Sequence, residues 1–158
     1  MDWATVDPVE NQERPSAADT LDEACRSNVL NNLIDNLQDL DWAVRESAAA
    51  VLGKLKDPRS STALIHALQD ECAIVRWSAT ESLGKLKAMD AVDGLTTALQ
   101  DEEWLVRMGA AQALGALGDA HALKALYEAQ QDDEWHVREA VYEALDRVRS
   151  LEEMKGLG

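Results

Sequence analysis

A chain of 158 residues with 46% hydrophobic content is long enough for one domain with a buried core. Its 30 acidic against 15 basic residues give a formal charge of −15, a field that repels phosphate backbones and excludes nucleic acid as a partner. No apolar run approaches the ~20 residues that span a bilayer, and no basic-then-apolar leader opens the chain, so a cytoplasmic protein without membrane insertion is expected.

Residues 1–18 contain Pro8, Pro15 and several acids but no periodic apolar stripe. This composition predicts a flexible acidic arm, in which Trp3, Val6 and Val9 form a candidate docking segment. Residues 19–27 are expected to form a helix that leads into, or merges with, a repeat domain over 19–154. Residues 155–158 are expected to be a tail.

From about residue 27 the chain repeats itself every 31 residues. Val-Arg pairs stand at Val44-Arg45, Val75-Arg76, Val106-Arg107 and Val137-Arg138. Six residues before each arginine is an aspartate: Asp39, Asp70, Asp101 and Asp132. Leu52, Leu83, Leu114 and Leu145 keep the same step, as do Leu33, Leu64, Leu95 and Leu126. The copies run approximately over 27–57, 58–88, 89–119 and 120–150. Each reads as two helices. The first carries a stripe such as Leu30, Leu33, Ile34 and Leu37. The second carries Val44, Ala48, Val51, Leu52 and Leu55 on one face at 3.6 residues per turn. The aspartate is placed to cap the second helix or complement its dipole. Pro58 opens a first helix, where its missing N–H costs nothing. In the last copy Tyr142 and Asp146 replace small residues, which suits a terminal cap. The last helix is expected to run to about Glu153 and fray at the glycines beyond.

Small residues on a flank of the second helices (Ala49 and Gly53, Thr80 and Gly84, Ala111 and Gly115) predict close approach between neighbouring helices. The arginines share that flank. Arg45, Arg76, Arg107 and Arg138 are expected to bond aspartates at neighbouring turns, giving a structural ladder with Asp39, Asp70, Asp101 and Asp132.

Residues outside this frame gather on one side of the second helices, which in stacked repeats line the concave surface. They include Trp42 and Glu46, then Ile74, Trp77 and Glu81. They continue with Trp104, Leu105, Met108 and Gln112, and then Trp135, His136, Glu139 and Glu143. Four of the five tryptophans lie here and the chain has no phenylalanine. A contiguous apolar patch marks an interaction site, and tryptophan dominates binding hot spots. The alternative is that Trp42, Trp104 and Trp135, a single repeated column, shield the turn between the two helices. Trp77 stands apart, in a column that otherwise holds Glu46, Met108 and Glu139. The glutamates rim the patch, so a partner with an apolar segment flanked by basic residues is expected.

Catalytic and metal chemistry finds no foothold. His66, His121 and His136 include no i, i+4 pair, and no HExxH or phosphate-loop motif occurs. Cys25 and Cys72 lack CxxC spacing and are expected to be free thiols.

The D-x5-R spacing, the Val-Arg pair, the runs Ala48-Ala49-Ala50 and Ala110-Ala111, and the pairs Leu52-Gly53, Leu83-Gly84 and Leu114-Gly115 resemble the phycobilisome-lyase-type HEAT-like repeat family over roughly residues 28–150. The expected fold is all-α, a right-handed α-solenoid of about four two-helix HEAT-like repeats. Longer members of the resembled family attach or detach bilins on phycobiliproteins as paired subunits, so the resemblance implies a bilin lyase component or chromophore-handling chaperone as one function. HEAT-type hydroxylases of the deoxyhypusine class carry His-Glu pairs, and this sequence has none. The repeats themselves imply a non-catalytic adaptor or assembly factor that holds another protein and needs no cofactor, bilin being implied only under the lyase reading.

Overall fold

The computed structural model describes residues 17–156, with side chains from residue 22 onward. The arm expected at 1–18 falls almost wholly outside the described residues, Trp3, Val6 and Val9 with it, as does the end of the tail. The described residues form eight helices and no strand. They are α1 (Ala17–Asn36), α2 (Trp42–Leu55), α3 (Ser61–Ala67), α4 (Ala73–Leu86), α5 (Val92–Ala98), α6 (Trp104–Leu117), α7 (Leu123–Ala129) and α8 (Trp135–Gly156). The helix expected at 19–27 is continuous with the first helix of the first repeat. The last helix ends at Gly156 rather than near Glu153.

The second helices α2, α4, α6 and α8 stack side by side, and their mutual contacts are the most extensive in the molecule. The short helices α3, α5 and α7 each pack on the second helix of their own repeat, as α1 packs on α2. A 3₁₀ turn introduces each of the three short helices, at Pro58–Ser60, Met89–Ala91 and Ala120–Ala122. Between the two layers Leu30, Leu64, Leu95 and Leu126 meet Leu52, Leu83, Leu114 and Leu145 in a continuous buried core. Helices α2, α4 and α6 stop at left-handed residues, Lys56, Lys87 and Gly118, which turn the chain into the next repeat.

Two sequence expectations need correction. The repeated aspartates are not the helix caps. The N-cap residues are Asp41, Cys72 and Glu103, two positions later. Asp39, Asp70, Asp101 and Asp132 instead each accept the backbone N–H two residues on, at 2.8–2.9 Å, and so fix the turn that leads into the helix. Val51 and Leu55, assigned to the core stripe of α2, are 38% and 49% exposed. The Val51 column is buried in later repeats, at Ser82, Ala113 and Ala144, because each of those lies against a glycine of the preceding second helix. Among the described residues no second helix precedes α2.

Those glycines set the helix spacing. A Cβ on Gly84 would stand 3.1 Å from the Cα of Ala113, and one on Gly53 would collide with Ser82. The hydroxyl of Ser82, buried in that contact, donates to the Ala49 carbonyl at 2.8 Å and ties α4 to α2.

Candidate partner-binding face

The aspartate-fixed turns and the arginines hold the second helices in register. Arg45 donates through Nε and Nη2 to both carboxylate oxygens of Asp70, at 2.7 and 2.9 Å. Its Nη1 donates to the carbonyls of Asp39 and Leu40. Arg76 repeats this with Asp101, and Arg107 with Asp132. Each guanidinium thus satisfies two turn carbonyls of its own repeat and forks onto the next. The series is open at both ends. The Asp39 carboxylate has no arginine, and Arg138, bonded to the Asp132 and Asp133 carbonyls, has no carboxylate, among the described residues.

Burial by itself would raise the Asp70 carboxyl pKa. The Arg45 fork, the Cys72 N–H and the charges of Arg45 and Arg76 reverse that, holding it below the usual carboxylate range. Asp101 and Asp132 are lowered in the same way. The arginines are raised, chiefly by the same hydrogen bonds.

On this frame the structure spreads the sequence-selected side chains along the four second helices, from the opening turns at Trp42, Ile74, Trp104 and Trp135 to mid-helix at Glu81, Gln112 and Glu143. Trp42 and Trp135 are 51% and 56% exposed, and Ile74 is 39% exposed. Trp104, Leu105 and Met108 are half-buried, and Gln112 is exposed. Trp77 is half-buried too. A Cβ on Gly109 of α6 would touch its indole at 3.1 Å, and its Nε1 is buried without a hydrogen-bond partner. The ring of His136 stacks on Trp135 at 3.6 Å and on Trp104 of the preceding repeat at 5.1 Å.

The four rim glutamates divide into two kinds. Glu81 is bonded to Lys85 at 3.3 Å, and Glu143 lies 3.9 Å from Arg147. Glu46 and Glu139 have no ion-pair partner among the described residues.

Further along the helices an open cleft is lined by Gly84, Lys85, Gly109 and Ala113 together with Glu81 and Gln112, both of which the sequence reading selected. Beside it, across Ala116, lies a second cleft that the sequence reading missed, lined by Gly115, Asp146, Arg147, Leu151 and Met154. Its far wall exists because α8 overruns the other second helices by two turns. The signal was the unbroken helical pattern past residue 150. The described residues contain no group of three or more potential metal ligands. His121 hydrogen-bonds Asp119 at 2.6 Å, and Cys25 and Cys72 are free.

Stacked helix pairs, a closed leucine core and a rung of charge from each repeat to the next define an all-α solenoid of repeats. Comparison with known proteins gives the family. HEAT repeats match residues 10–84 and 61–146, and the chain belongs to the HEAT-repeat family. Among solved structures it is similar to the complex of CpcE and CpcF of phycocyanin lyase from Nostoc sp. PCC7120. The identity is 31% and the TM-score 0.69, over 93% of this chain and 58% of that one. It is also similar to human deoxyhypusine hydroxylase, at 30% identity and TM-score 0.68, over 77% of this chain and 43% of that one. An engineered protein shares the fold at 21% identity and TM-score 0.59, over 82% of this chain and 67% of that one. The chain thus spans about half the length of the first two. No curated protein matches it.

Proposed function

We propose that the chain is a non-catalytic protein-interaction module, an adaptor or assembly factor, that holds a partner protein in the groove along its second helices. The observation that carries this reading is the exposure of Trp42, Ile74 and Trp135 on one face of a frame locked by the arginine forks. Apolar side chains of this size left in water on a rigid surface favour a partner that covers them. The half-buried Trp77, Trp104 and Met108 supply the floor between them. We read the protein as cytoplasmic; no described helix is long and apolar enough to cross a membrane.

The test is a pull-down from native extract with wild type and with Trp42→Ala/Ile74→Ser/Trp135→Ala, whose targets are exposed, with circular dichroism to show that the variant is folded. Hot-spot truncations cost about 2 kcal/mol or more each, roughly 30-fold in affinity, so the partner should be lost from the variant. An unchanged set of captured proteins would sink the reading.

The likeness to phycocyanin lyase favours one second reading, a component that handles bilins. Mixing the protein with free bilin and recording the visible spectrum distinguishes the two. A shifted band is expected of a bilin handler, and an unchanged spectrum of the interaction module.

A further inference from the structure

The two exposed tryptophans each have a carboxylate four residues on that no cation among the described residues answers; the half-buried Trp77 has Glu81 at that spacing, but Glu81 is paired with Lys85, and Trp104 has Met108. Four residues after Trp42 is Glu46, and four residues after Trp135 is Glu139. Residues four apart on a helix are neighbours on one face, so each exposed indole has a carboxylate beside it. In the two inner repeats the same pair of columns reads Ala73 with Trp77 and Trp104 with Met108, with no charge. Glu46 and Glu139 are also the two rim glutamates without an ion-pair partner among the described residues, whereas Glu81 and Glu143 are answered by Lys85 and Arg147. Asp41 and Glu134, immediately before the two tryptophans, add to the negative potential there.

An indole face beside an unanswered carboxylate suits a guanidinium or ammonium group. The ring attracts the cation through its quadrupole, and the carboxylate pairs with its N–H groups. A cation shared by both is satisfied on two sides without burying either charge deeply.

Resting on the interaction reading above, we propose that Trp42–Glu46 and Trp135–Glu139 are two cation-accepting stations. They select a partner segment with two arginine or lysine residues flanking an apolar centre, and that centre covers Trp77, Trp104 and Met108. The structure also sets the spacing. The stations lie on the first and fourth of four side-by-side helices, three intervals of about 8–10 Å each. Their separation is about 25–30 Å, which an extended chain at ~3.3 Å per residue crosses in about eight or nine residues. The formal charge of −15 draws such a basic segment in from a distance, and the two stations fix where its charges land.

The test uses the full chain as bait for a display library of random 16-residue peptides. Enriched peptides are re-measured against Glu46→Lys/Glu139→Lys and against Trp42→Ala/Ile74→Ser/Trp135→Ala. The expected result is paired basic residues about eight or nine positions apart around an apolar centre, with binding weakened about tenfold by the glutamate reversals. Peptides that lose binding to the tryptophan variant, yet show no such pair and ignore the reversals, would overturn the stations and leave the interaction reading standing. If no peptide is enriched, or if those enriched bind both variants as tightly as wild type, the stations and the interaction reading both fall.

Discussion

Arg76→Ala is expected to lower the stability of the chain by about 3–5 kcal/mol, the usual cost of breaking a buried ion pair by removing one partner. Arg76 and Asp101 have side chains only 10% and 12% exposed. The substitution leaves the Asp101 carboxylate in place with its fork partner gone, and it strips the Asp70 and Glu71 carbonyls of a donor. For a domain of this size the melting temperature should fall by roughly 10 °C, read by calorimetry or circular dichroism. A loss below about 1 kcal/mol would mean that the forks behave like ordinary surface pairs. The pH dependence follows from the same groups. Asp70, Asp101 and Asp132 have folded-state pKa values below their unfolded ones. Their contribution is therefore present above the unfolded value of about 4 and is lost as pH falls through the lowered folded values. Wild type should lose stability steeply on acidification below about pH 4. Arg76→Ala should lose less over that range, because Asp101 no longer resists protonation.

Gly115→Ala is expected to destabilise even though alanine is the better helix former. In an exposed helix the change would gain about 0.5–1 kcal/mol. Here the added Cβ would stand 2.8 Å from the Cα and 2.9 Å from the Cβ of Ala144, so α6 and α8 have to move apart. Overpacking of that kind costs about 1–3 kcal/mol and outweighs the propensity gain. Gly115→Val should cost more. Gly156→Ala is the internal control, since nothing lies within 4 Å of its Cβ position, and it should be neutral or slightly stabilising. If Gly115→Ala melts at or above the wild-type temperature, the close approach of the two helices is not what the glycine serves.

The parts of the fold that were legible from the sequence are those in which every copy meets the same surroundings. Leu52, Leu83, Leu114 and Leu145 are buried in all four copies, so a column of leucines reports its environment directly. Legibility failed where surroundings change along the stack. Val51 carries an apolar side chain in a core column, but the helix that would cover it is missing from that end of the described residues. The tryptophan column shows the same effect. Trp42, Trp104 and Trp135 look equivalent in sequence, yet Trp104 is half-buried because His136 of the following repeat stacks on it, and Trp135 has no repeat after it. Which rim glutamates lack a partner is, by contrast, readable in the sequence: Lys85 and Arg147 stand four residues after Glu81 and Glu143, whereas Ala50 and Glu143 follow Glu46 and Glu139.

Because Arg45, Arg76 and Arg107 each reach for the aspartate of the next repeat, 25 residues ahead, the rungs are interchangeable. A copy of the 31-residue unit inserted between two others would find an acceptor on one side and a donor on the other, with glycine facing a small residue at both new seams. Period therefore acts as a ruler. Gaining or losing one unit lengthens or shortens the face formed by the second helices by a single helix spacing, about 8–10 Å, and leaves every remaining seam unchanged. Reach is thus a quantity that this architecture can change in whole steps, without redesign of any side chain that holds it together.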